Sequence, residues 1–88
     1  VSRALEWVAA ELARRRDEGM TIAGTVNQNE AARWGREARA YDTASVVLFA
    51  AADEPDGVVR VRSVAELYRA VGGREARDVW LRVAYLMR

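Results

Sequence analysis

The tract "DEPDG", residues 53–57, gathers the carboxylates best spaced for chemistry: Asp53, Glu54 and Asp56. Oxygen ligands this close together suit a hard cation. A calcium loop, however, sets its ligands at alternating positions over about twelve residues, and the tract does not sustain that alternation. It reads as a solvated turn. Ser2, Ser45 and Ser63 are the hydroxyls to consider as nucleophiles, but the chain contains neither histidine nor cysteine. That composition removes imidazole acid–base chemistry, thiolate nucleophiles, disulfides and Cys/His zinc sites. Gly19 with Gly24, and Gly72 with Gly73, do not make a phosphate loop, because the lysine and hydroxyl that such a loop needs are missing. The expectation is a protein that is not an enzyme and holds no cofactor and no metal.

The charge balance is equally uninviting for a polyanion. Fourteen arginines oppose 13 acidic residues, for a net charge of +1. The exclusive use of arginine, with abundant Ala and Val, is most simply the mark of a GC-rich coding sequence, although arginine also suits bidentate anion contacts. The alternative functional reading is a small DNA-binding regulator using the last two helices. Joined by "AVGG", they would form a helix-turn-helix, with Arg74, Arg77 and Arg88 toward the groove and Arg14 to Arg16 on phosphates. Glu75 and Asp78 sit where base-reading residues belong and would repel phosphate, so nucleic acid is not the expected partner. "RRR" fits better as a positive complement to a helix C-terminus.

The elements that would position these residues follow from periodicity. Apolar residues make up 51% of the 88 positions, enough for one small domain spanning residues 1–88. Ser2 can cap a first helix carrying Leu5, Val8, Ala9 and Leu12 at helical spacing, with Gly19 as its stop. "MTIAGTV", residues 20–26, reads as extended because of its β-branched residues and internal glycine. Asn27 and Glu30 are spaced as a capping box, with Asn29 as a competing cap. The long helix that follows, from about Asn29 to about Asp53, lays Ala31, Trp34, Ala38, Tyr41, Ser45, Leu48 and Ala52 along one seam. A rival hairpin, with Ser45 to Ala51 as a strand paired to Val58 to Arg62, is disfavoured by that unbroken repeat and by Ala50, Ala51 and Ala52.

"GVVRVRS" alternates Val59 and Val61 with Arg60 and Arg62 and reads as extended. Ser63 and Glu66 then form a second capping box opening a short helix with Val64, Leu67, Tyr68 and Val71 on one face. A final helix from Arg74 or Glu75 buries Ala76, Val79, Trp80, Val83 and Met87. The fold class expected is mainly α: a small domain of three longer helices plus one short, with at most a two-stranded ribbon from residues 20–26 and 57–62. No apolar run approaches the length of about 20 residues needed to span a bilayer, and Glu6 and Glu11 spoil any resemblance to a secretory signal. The expectation is a soluble, cytoplasmic protein, with an opening Val and a final Arg88 that suit a chain trimmed at either end.

The residues left over once that core is built carry the functional signal. Trp7 falls opposite the Leu5, Val8 and Leu12 stripe, and Leu81 and Tyr85 form an i, i+4 pair opposite Val79 and Val83. Val47 and Phe49 flank the seam of the long helix, whose C-terminal half reads as buried all round. Large apolar residues on outward faces point to a contact surface, with Arg77 and Arg82 at its rim. The function expected is a small helical interaction module or accessory subunit. Its partner would be itself, as a homodimer or higher oligomer, or a larger protein.

Overall fold

A computed structural model describes residues 2–87. Among the described residues it contains four α-helices and no strand: α1 (Arg3–Ala23), α2 (Gln28–Ala52), α3 (Gly57–Val71) and α4 (Arg74–Leu86). Arg88, placed toward a DNA groove in the nucleic-acid reading, lies outside the described residues.

α1 and α2 form the main antiparallel pair. Ser2 Oγ accepts a hydrogen bond from the Leu5 N–H at 3.2 Å, while the Ser2 N–H donates to the Ala52 carbonyl at 2.8 Å. The cap of α1 is thereby tied to the last turn of α2. At the other end, Asn27 Oδ1 accepts from the Glu30 N–H at 3.0 Å, which makes Asn27 the N-cap. Arg16 bridges the pair through Asp42 at 2.7 Å. α3 and α4 form a shorter antiparallel pair laid against α2. The Tyr68 ring stacks on Trp80 with centroids 5.2 Å apart, and Val58 lies beside Leu86 and Met87. Arg36, early in α2, pairs with Glu75, early in α4, at 3.1 Å. The helices therefore alternate in direction along the chain.

The seam of α2 is the spine of the core. Ala38, Tyr41, Ser45, Leu48 and Ala52 are buried, and Ala31 and Trp34 are half-buried where α2 outruns the shorter pair. Leu5, Val8 and Leu12 meet this seam from α1, Val61 and Ala65 from α3, and Val79, Trp80 and Val83 from α4. Buried Ser45 satisfies its hydroxyl by donating to the Asp42 carbonyl at 2.8 Å. α2 runs unbroken through Ala44 to Ala52, which rules out the hairpin.

Several expectations are overturned. Residues 20–23 continue α1 instead of forming a strand, and Gly24 is the C-cap. The weak helical preference of Thr21 and Ile22 costs only tenths of a kcal/mol, while Ile22 and Ala23 gain partial burial. Gly19 is consequently no stop but a buried residue inside the helix. The arginines 14 to 16 are likewise mid-helix, paired with Glu11, Asp17, Glu18 and Asp42, and no basic residue occupies the last turn.

Residues 57–62 are the first half of α3, so the ribbon is absent and Ser63 is an exposed position within a helix. The Val59/Val61 alternation coexists with a helical stripe of Val58, Val61, Ala65 and Tyr68. That stripe prevails because residues 20–26 offer no strand partner. The four helices measure 21, 25, 15 and 13 residues, so α4 and not the third helix is the shortest. Because the buried stripe of α3 is centred on Val61 and Ala65, Leu67 and Val71 face solvent, at 58% and 74% exposure, and not the interior expected of them.

Candidate interaction surface

Helical periodicity places the surplus apolar residues outside the core, on several faces. Trp7 on α1 is 60% exposed and borders an open groove of about 220 Å³ with Leu5, Val8, Val58, Leu86 and Met87. Val47 is half-buried and lines a second groove of about 280 Å³ with Ala50, Ala51, Val61 and Val64, together with the charged Glu54 and Arg60. Phe49 is 47% exposed on the outer side of α2, as is its neighbour Val46 at 60%. This corrects the expectation that the C-terminal half of α2 is buried all round. The flanking helices cover only the side that holds Leu48, Ala51 and Ala52.

Leu81 and Tyr85 project from the outer face of α4, at 52% and 69% exposure. Arg77 is exposed on that helix, whereas Arg82 reaches toward Arg15, Glu37 and Tyr41 at the junction of α1, α2 and α4. The structure thus brings Trp7 to one groove and Val47 to another, and keeps Leu81 with Tyr85 on the outer face of α4, apart from Phe49 on α2. Val46, Val59, Leu67 and Val71 are exposed as well. For Leu67 and Val71 the signal was present in the sequence: a helix that includes Val58 and Val61 centres its apolar stripe on Val61 and Ala65 and leaves both outside it.

Polar groups offer less. The junction with Arg82 is lined by Arg15, Glu18 and Glu37, so its cations are opposed by acids and no net positive pocket results. Arg15 Nε is buried without a hydrogen-bond partner among the described residues; its 3.4 Å contact with Glu11 is an ion pair only. Glu11 is held below the usual carboxylate range by hydrogen bonding to Arg14 and by the charges of Arg14 and Arg15, against a smaller opposing effect of desolvation. Glu75 is lowered first by its own backbone N–H and then by Arg36. The Arg16 guanidinium is raised, chiefly by Asp42. These are surface ion pairs, two of which, Arg16–Asp42 and Arg36–Glu75, join neighbouring helices, and none has the buried, charge-shifted character of a general acid or base. Asp53, Glu54 and Asp56 do not converge into a metal-holding group among the described residues.

α3 and α4 lie alongside each other from the Val58 end to the Tyr68–Trp80 stack. That is an αα-hairpin and differs from the steep crossing of a helix-turn-helix. No described helix is long and apolar enough to cross a membrane. Comparison with protein families, with curated proteins and with solved structures finds no match to this chain. The functional reading therefore stands on the surface itself.

Proposed function

We propose that this chain is a small helical interaction module, an accessory subunit that self-associates or docks on a larger protein through its outward apolar side chains. The observation that carries the reading is the exposure of a large apolar residue on every helix: Trp7, Phe49, Leu67 and Leu81 are each about half exposed or more. Single exposed apolar residues are ordinary. Here they recur as neighbours on one helix face, Val46 with Phe49 on α2 and Leu81 with Tyr85 on α4. Aromatic anchors in such positions dominate the energetics of most interfaces. The near-neutral charge supports a protein partner, because little counterion release is available to drive binding to nucleic acid.

The test is association by the native chain, by a Leu81→Ser/Tyr85→Ser variant and by a Val46→Ser/Phe49→Ser variant. At least one pair of changes weakens association while helical content stays constant. A native chain that sediments as a monomer from micromolar to millimolar concentration, and retains no partner from its own cell extract, contradicts the reading.

A further inference from the structure

The outer face of α2 carries a stripe with an internal symmetry. Arg39, Thr43, Val46, Phe49 and Asp53 are all exposed, and at about 100° per residue they fall within one third of the helix circumference. Their spacings are four, three, three and four residues, a sequence that reads the same in both directions about Val46. The charges at its ends are opposite. Arg39 lies seven residues before Val46 and Asp53 seven residues after it.

We propose that two copies of this chain pair through the outer face of α2, antiparallel about a two-fold axis at Val46. The proposal rests on the interaction-module reading and names the partner. In that arrangement Val46 meets Val46 of the second copy, Phe49 covers Thr43, and Arg39 faces Asp53 at both ends. An isologous contact of this kind requires a patch that complements itself, and a stripe with inverted charges at equal distances from its centre meets that requirement. At 1.5 Å rise per residue the two charges lie about 21 Å apart on each copy, so both ion pairs form together.

Charge bookkeeping within the monomer favours these residues. Arg36 is engaged by Glu75 and Asp42 by Arg16, whereas Arg39 and Asp53 have no ion pair among the described residues. Other charges of α2, Glu30, Arg33 and Glu37, lack an ion pair among the described residues as well, but Arg39 and Asp53 are the opposite charges that the spacing about Val46 brings together. Ala50, small and exposed between Val46 and Asp53, lets the helices approach closely and leads into the groove of Val47, Val61 and Val64. The outer face of α4 lacks this property. Around Leu81 and Tyr85 it carries Arg74 and Arg77 against Asp78 alone, with no opposite charges at equal distances from a centre.

The test is a charge-reversal cycle read as the dimer dissociation constant. Arg39→Glu alone and Asp53→Arg alone each weaken the dimer by about tenfold, since each turns two exposed ion pairs repulsive. The double variant restores the inverted pairs and recovers affinity to within about threefold of native. Both positions are exposed, so far-UV circular dichroism stays unchanged. Because the chain contains no cysteine, Val46→Cys provides an independent readout. It cross-links to a second copy under mild oxidation, while Leu81→Cys does not.

A dimer indifferent to both reversals, or a double variant no tighter than the singles, overturns the α2 pairing and leaves the interaction-module reading standing. A native chain that stays monomeric to millimolar concentration also overturns the pairing. Retention of a different protein by that monomer would then decide the broader reading separately.

Discussion

Gly19 of α1 faces Ala38 of α2 so closely that a methyl group on the glycine would lie 3.5 Å from the alanine Cβ, in ordinary van der Waals contact. This small-on-small meeting lets the two longest helices run side by side along the seam. Replacing Ala38, 2% exposed, with tryptophan overfills it and costs on the order of 1 to 3 kcal/mol. A lower denaturant midpoint at unchanged slope is the expected result. An unchanged midpoint would show that the helices separate at little cost.

Glycines elsewhere divide by what surrounds them. A Cβ at Gly35 would meet nothing within 4 Å, so Gly35→Ala removes only backbone freedom and stabilises by about 0.5 to 1 kcal/mol. A Cβ at Gly57 would lie 2.0 Å from the Ala51 carbonyl oxygen and 3.1 Å from Leu5 Cδ1. Gly57→Ala therefore forces the α2–α3 turn apart and costs about 2 kcal/mol. Thermal melts of the two variants are expected to shift in opposite directions.

These glycines also show where the sequence was readable. The 3-and-4 spacing from Ala31 to Ala52 specified α2, and the side chains of Ser2 and Asn27 act as the caps their types suggest. Local chemistry misled where a residue type serves two purposes. Gly19 as a stop and Gly19 as a close-packing site look alike in sequence, and only Ala38 distinguishes them. Val59 and Val61 satisfied a strand period while Val58, Val61 and Ala65 satisfied a helical one, and packing against α2 and α4 decided the outcome. Exposure of Trp7, Leu81 and Tyr85 was legible because it depends only on the helical period. Val46 was hidden by reading the crowded end of α2 as buried on every side.

Adjacent residues on α4 are expected to behave in opposite ways. Trp80, 1% exposed and stacked on Tyr68, joins α3 to α4, and Trp80→Ala costs about 3 to 5 kcal/mol. Leu81→Ser with Tyr85→Ser changes stability by no more than about 1 kcal/mol, since both side chains lie off the core. Urea melts of the two variants test the face assignment. Equal destabilisation would place Leu81 and Tyr85 in the core.

Acid weakens the fold through Glu11 and Glu75. Both carboxyls titrate below their usual value of 4.5 in the folded chain, so the unfolded chain binds more protons as the pH falls through that region. Their contribution is complete above the unfolded value and is lost as pH drops through the lowered folded values. The effect is small because both carboxylates face solvent. Glu75→Gln is expected to flatten the acid limb of the stability profile, and a profile identical to native would remove Glu75, held low by its own backbone N–H and then by Arg36, as a cause.

The most direct test of the account is sedimentation equilibrium of the native chain from micromolar to millimolar concentration. A surface built for self-association predicts a weight-average mass that climbs from 9.8 kDa toward twice that value, with a midpoint that shifts on charge reversal at Arg39 or Asp53. A single ideal species of 9.8 kDa across the whole range would contradict it.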